Sequence, residues 1–168
     1  MDESKIIALD ISKAFDRVWH PALLSKVSSY GIDSSFITWL SNFLSNRHLR
    51  VVIDGVSSRT YPLQAGVPQG SVLSPTLFLL FINDLLSLTE NPIFSFADDS
   101  TLCHSYSFSK RPNQVELSLK RREMNTSLNS DLEKIAEWGR MNRVEFNAKK
   151  TMSVSNAQIS GTFSTINL

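Results

Sequence analysis

The spacing of apolar residues changes character several times along this 168-residue chain. "KIIALDIS", residues 5–12, is a short apolar run that ends on a carboxylate, which predicts a buried strand with Asp10 at its C-terminal end. Pro21 after His20 suits the first turn of a helix reaching about Tyr30, where Gly31 can adopt the left-handed cap conformation. Asp33 to Ser35 offer caps for a second helix through Leu44, with Phe36, Ile37, Trp39, Leu40, Phe43 and Leu44 at helical spacing.

"LRVVIDGVSSRTYPL" alternates strand-forming residues around Asp54-Gly55 and reads as a hairpin, with Pro62 ending or edging its second strand. "QAGVPQGSVLSP", residues 64–75, is a Gly/Pro loop whose Ser74-Pro75 pair caps a helix over Thr76 to Leu86. That helix is apolar nearly all round, so it is expected to be buried. "IFSFADDSTLCHSY" reads as a second hairpin with two aspartates between its strands. From about Asn113 to Arg140 the spacing of Leu117, Met124, Leu128, Leu132 and Ile135 predicts one long amphipathic helix, continuous or broken once. "TMSVS" and "GTFSTI" suit short closing strands. Strands and helices mix without strict alternation and the hairpins imply antiparallel pairing. The expected class is therefore α+β, a small antiparallel sheet with helices packed on one face.

Composition narrows the function classes. Hydrophobic residues at 42 % and charged residues at 20 % are ordinary for a soluble globular chain, and the length suits a single domain spanning 1–168. With 17 Lys plus Arg against 16 Asp plus Glu, the overall field neither attracts nor repels a polyanion, so any such partner is held by local charge or by metal. Cys103 is the one cysteine, which excludes an internal disulfide, and His20, His48 and His104 are scattered, which argues against structural zinc. An intracellular, reducing compartment fits, with nucleus and cytoplasm not distinguished. The longest apolar run, Leu77 to Ile82, is far too short to cross a bilayer, and no membrane partner is expected.

The adjacent Asp98 and Asp99 are the chemical feature of the sequence. Side-by-side aspartates are most often a solvated turn. Here a strand-like run precedes them, and carboxylates at the edge of a core lose hydration and repel one another unless a cation compensates. Oxygen-only ligands select a hard ion, and Mg²⁺ leaves coordination positions open for water and substrate phosphates. Asp10, which also ends an apolar run, is the best third carboxylate. Two such ions can activate an attacking oxygen and stabilise a leaving one in phosphoryl transfer, so a phosphoryl or nucleotidyl transferase is the leading enzyme class.

Three stretches in order, "ALDISKAFDRVWH", "QAGVPQGSVLSPTLF" and "FADDSTL", together with "DLEKIAEWGRMNRVEFNAKKT", resemble the reverse transcriptase domain of non-LTR retrotransposons, most like jockey-type elements. The likeness covers roughly residues 5–152. It implies a polymerase palm in which Asp10 and Asp98 ligate two Mg²⁺ ions, or Mn²⁺ in their place. The backbone carbonyl of Ile11 assists and Asp99 completes the acidic site. It also implies that Phe15 closes against the sugar 2′ carbon and selects deoxynucleotides, and that Gln69 lies near the incoming nucleotide. Gly66 and Gly70 would allow close approach of template or base pair. Lys150 would act as general acid toward pyrophosphate, with the adjacent Lys149 leaving the register open. Lys13, Arg17 and the run Lys120 to Arg122 are candidates for backbone phosphates, the last equally a solvated helix face.

The partners so implied are an RNA template, a DNA primer and deoxynucleoside triphosphates. The fingers and thumb of such enzymes are not recognisable here, so the chain reads as a palm fragment. The competing readings are a catalytically inactive truncated remnant that at most binds nucleic acid, and an RNA-templated RNA polymerase palm, which Phe15 disfavours.

Overall fold

The structure, a computed structural model, describes residues 2–156. In chain order its elements are β1 (Asp2–Asp10), α1 (His20–Ser29), α2 (Ser34–Leu44), β2 (His48–Leu49), β3 (Val52–Ile53), β4 (Val56–Ser57), β5 (Tyr61–Pro62), α3 (Ser74–Ile82), β6 (Ile93–Phe96), β7 (Asp99–Ser107), α4 (Gln114–Asn142) and β8 (Met152–Asn156), with 3₁₀ turns at Ala14–Asp16 and Asn83–Ser87. They form two compact units: one runs to Ser12 and resumes at Asp84, and the other is Lys13–Asn83.

The first unit is an antiparallel sheet in the order β6-β7-β1-β8, with α4 lying against β7. β1 is central and its side chains alternate. Ile7 and Leu9 are buried, as is Leu102, the β7 partner of Ile7. The opposite face stays open, with Ile6 41 %, Phe94 64 %, Met152 53 % and Val154 49 % exposed. This is the expected sheet covered on one face.

α4 runs unbroken for 29 residues. Its start is fixed by a capping box, in which Glu116 N donates to Asn113 Oδ1 at 2.8 Å and Asn113 N to Glu116 Oε2 at 2.9 Å. Its end is the left-handed Arg143, at φ +58°. Met124, Leu128, Leu132, Ile135 and Trp138 are buried at intervals of three or four residues, so packing holds it as one helix.

Two buried carboxylates fasten this helix. Glu3 on β1 accepts from Arg121 Nη2 at 2.6 Å and Nε at 3.0 Å, and from the Tyr106 hydroxyl. The guanidinium donors hold its carboxyl below the usual glutamate value, against the opposing effect of burial. Asp131 on α4 is buried and accepts from Glu90 N at 3.0 Å, Asn91 N at 2.9 Å and Asn91 Nδ2 at 2.7 Å. Burial pushes its pKa up, but those donors outweigh it and the net direction is down. Asn91 extends the network to Ser127 and His104, clamping the approach to β6 onto the helix.

In the second unit α1 contacts both α2 and α3. Leu23 and Val27, Leu40 and Leu44, and Leu77, Phe78, Phe81 and Ile82 are buried. Phe36, Trp39 and Phe43 instead stack along the outer side of α2, with successive centroids 5.5 Å apart. The β3–β4 hairpin turns at Asp54 and Gly55, both at positive φ (+50° and +79°), as a type I′ turn requires. α3 departs from expectation at both ends. Ser74 is its first residue rather than its cap, because its hydroxyl donates to Pro68 O at 2.6 Å. The helix then tightens into the 3₁₀ turn at Asn83. "GTFSTI" lies outside the described residues. Among those described, no helix is long and apolar enough to cross a membrane.

Asp131→Ala removes the acceptor of four donors, the two backbone amides, the Asn91 side chain and Lys134 Nζ, and is expected to cost on the order of 3 kcal/mol in urea unfolding, with Asp131→Asn losing less. The Glu3 cluster shapes both pH flanks. Glu3 contributes stability that is full above its ordinary 4.5 and is lost as pH falls through the lower folded value. Tyr106 is pushed from 10.0 to about 12, first by burial and then by the Glu3 carboxylate, so its contribution is full below 10.0 and is lost as pH rises toward 12. Unfolding midpoints measured at stepped pH should show Tyr106→Phe flattening the alkaline decline while leaving an acid one.

Candidate active site

The pairing of β1 with β7 sets Asp10 directly opposite Asp99. Residues so paired project to the same side, here the open face that also carries Ile6. Phe96 pairs with Asp99, so Ala97 and Asp98 form a two-residue turn. Ala97 has φ +53°, a left-handed conformation that costs a side-chain-bearing residue about 1 kcal/mol. Ser95 braces the turn: its hydroxyl donates to Ala97 O at 3.2 Å and lies 3.3 Å from that of the buried Ser100. Asp98 is thereby held at the tip, next to the Asp10–Asp99 pair.

A second segment closes along the end of β1. Ser12 N donates to Glu145 O at 2.9 Å, Ile11 bridges Phe146, and Asn147 N donates to Asp10 O at 2.8 Å. Asn147 then organises the turn that follows. Its carbonyl accepts from Lys150 N at 3.0 Å and Thr151 N at 2.9 Å, and its side chain from Lys149 N at 3.2 Å. This turn brings Lys150 Nζ to 3.2 Å from Asp10 Oδ1.

Asp10, Ile11, Asp98, Asp99 and Lys150 thus belong to one edge of one sheet. As the side chains stand, no three His, Cys, Asp or Glu among the described residues form a ready cation cage. The donors are nevertheless of the kind a hard divalent ion takes, carboxylate and carbonyl oxygens. The Lys150 ammonium already supplies a positive charge at Asp10.

Lys13, Phe15, Gln69 and Gly70 lie in the second unit. Lys13 is exposed at φ +51°, and its carbonyl accepts from Asp16 N and Arg17 N. Phe15 is half-buried and stacks on Phe78, with centroids 4.9 Å apart. The loop of residues 65–67 is clipped onto this turn, Val67 N donating to Phe15 O and Gly66 N to Val18 O, each at 2.9 Å. At Gly66 a Cβ would stand 2.8 Å from Asp16 O, so the missing side chain is what lets this loop lie against the Ala14–Asp16 turn. Around Gly70 there is open space. Gln69 Nε2 donates to Asp16 Oδ1 at 2.9 Å. Arg47 Nη1 and His20 Nε2 both bond Gly66 O, at 2.7 and 2.8 Å.

Sequence reasoning missed Asn147, Ser95, Asp16 and Arg47. Asn147 alone carried a local signal, as an Asn opening a polar turn.

The reverse transcriptase (RNA-dependent DNA polymerase) family profile matches residues 2–162. The RNA-directed DNA polymerase from mobile element jockey of Drosophila melanogaster is 33 % identical over 156 residues, covering 91 % of this chain and 16 % of the relative. The retrovirus-related Pol polyprotein from type-1 retrotransposable element R2 of Popillia japonica is 27 % identical over 170 residues, covering 93 % of this chain and 21 % of the relative. Among solved structures, apo telomerase from Candida tropicalis, truncated from its C-terminal domain, superposes with a TM-score of 0.59 at 17 % identity, over 97 % of this chain and 33 % of that one. The structural likeness fixes the fold as a polymerase palm. The chain spans only 16 % of the length of the jockey polymerase. With the family profile matched over nearly its whole length, this chain belongs to the reverse transcriptase family, and its relatives are polymerases of non-LTR retrotransposons of the jockey and R2 kinds.

Proposed function

We propose that this chain is the catalytic palm of an RNA-directed DNA polymerase whose intact form extends a DNA primer on an RNA template. The observation that carries the reading is Asp10 paired with Asp99 beside the Asp98 turn, in a chain of this family. The reaction forms a bond from the primer 3′-oxygen to the α-phosphorus of a deoxynucleoside triphosphate and breaks the bond from that phosphorus to the bridging oxygen, releasing pyrophosphate. The 3′-hydroxyl proton passes to water.

Asp10, Asp98 and Asp99, with the Ile11 carbonyl, would hold two divalent ions, Mg²⁺ or Mn²⁺, whose chemistry is to activate the attacking oxygen and stabilise the leaving one. Lys150 Nζ, which stands 3.2 Å from Asp10 Oδ1, donates its proton to the departing pyrophosphate and regains one from solvent. Phe15 excludes a 2′-hydroxyl, a role supported by the bracing of its ring on Phe78, since a steric gate must not swing aside. Gln69, steadied by Asp16, contacts the incoming nucleotide, the open space at Gly70 admits a close approach, and Lys13 meets a phosphate.

In an intact polymerase carrying this segment, Asp98→Asn should lower primer extension on RNA by roughly 100-fold or more, as loss of several kcal/mol of charge stabilisation requires. Equal extension by both forms would remove these roles from the carboxylates. Phe15→Val should raise the ratio of ribonucleotide to deoxynucleotide incorporation about tenfold or more, by relieving a clash of 1–3 kcal/mol. An unchanged ratio in single-nucleotide assays would take the gate away from Phe15.

A further inference from the structure

α4 begins as a nearly bare helix. From Gln114 to Glu123 every residue except Leu117 is exposed, and Met124 is the first buried position. One flank of this stretch, on which Ser118, Arg122, Asn125 and Asn129 recur, forms a groove of about 390 Å³ with no carboxylate in its lining. The acidic residues of the same turns are elsewhere: Glu116 is spent in the capping box, and Glu123 is held by Lys120 at 2.7 Å. Lys5 reaches the groove from β1 and donates from Nζ to Asn125 Oδ1 at 3.0 Å. Arg121 also lines it, but its charge is matched by Glu3. The groove's net positive charge is therefore that of Arg122 and Lys5, neither of which is paired to a carboxylate among the described residues.

A chain with net charge +1 has no general attraction for a polyanion, so a local basic groove free of acids carries the electrostatic information. Leu117 aside, the remaining lining consists of side-chain amides and hydroxyls, from Gln114, Asn125, Asn129, Ser118 and Thr126, the Ser118 hydroxyl also donating to Val115 O at 2.8 Å. Such groups both donate and accept, whereas phosphate oxygens need donors alone. The ligand that uses both capacities along a helix flank is the RNA backbone, with a 2′-hydroxyl beside each phosphate. Because α4 covers the buried face of the sheet, the groove lies on the opposite side from Asp10 and Asp99 and is separate from the reaction. We propose that this flank of α4, together with Lys5, is a second nucleic-acid surface that grips the sugar-phosphate backbone of RNA without regard to its sequence.

Fluorescence anisotropy of the 168-residue chain with a labelled RNA hairpin, and with DNA of the same sequence, tests it across roughly 50 to 200 mM salt. Arg122→Gln and Lys5→Gln should each flatten the slope of log affinity against log salt by about 0.7 to 0.9. Ser118→Glu, an exposed change that places a carboxylate in the groove, should weaken RNA binding more than either, and the DNA hairpin should bind several-fold less tightly. Unfolding midpoints at the wild-type value confirm that the Arg122 and Ser118 variants are folded. Wild-type affinity and salt slope in both Arg122→Gln and Ser118→Glu would overturn the proposal. So would equal affinity for the DNA hairpin, or polyglutamate binding with the same sensitivity to these variants and in preference to RNA.

Discussion

The antiparallel register that sets Asp10 against Asp99 is the constraint on which the rest of the molecule depends. Strand side chains alternate, so a slip of one residue would turn Asp10 toward the helix-covered face and Leu9 outward. Ile7, Leu9 and Leu102 each gain roughly 1.5–3 kcal/mol from burial, and together they forbid that slip. The carboxylates are therefore positioned by the apolar residues beside them. Like charges set side by side give no stability of their own, and the core imposes their proximity.

The cation at Asp10 depends on a longer chain of causes. α4 ends at the left-handed Arg143, and Val144 N returns to Gly139 O at 2.8 Å. A Cβ at Gly139 would crowd Val144 O at 3.0 Å and the Phe146 ring at 3.1 Å, so the absence of a side chain lets the helix turn back this tightly without displacing those neighbours. The strip that follows is stitched to residues 10–12, and the Asn147 turn presents Lys150. The helix end thus determines where an ammonium stands relative to a carboxylate.

Much of this was legible in the sequence wherever signals are local. Asp54-Gly55 announced its hairpin because type I′ geometry demands such residues, and the apolar spacing placed the start of the long helix near Asn113, which the structure shows to be its cap. Asp10 and Asp98 stood out because each closes an apolar run. What escaped depended on partners far along the chain. Ser74 reads as a helix cap, yet it serves Pro68 O in a loop whose path no local rule gives. The glycine at 66 reads as room for a template or base pair, and no local rule gives its close contact with the Asp16 backbone. The long helix could not be read as unbroken, because its first turns are exposed and its continuity rests on the burial of later residues and on the clamp at Asp131.

The central place of β1 bears on how the molecule is made. Ile6 sits between Cys103 and Val154, so the middle strand of the sheet finds its first partner nearly a hundred positions later and its second half a hundred beyond that. Such contact order makes folding slow. On the ribosome the strand emerges long before either neighbour, an apolar ribbon with open edges, while the helices of Lys13–Asn83 can already assemble from near neighbours. Until the chain reaches Ser107, that ribbon is a target for chaperones or for a second nascent copy.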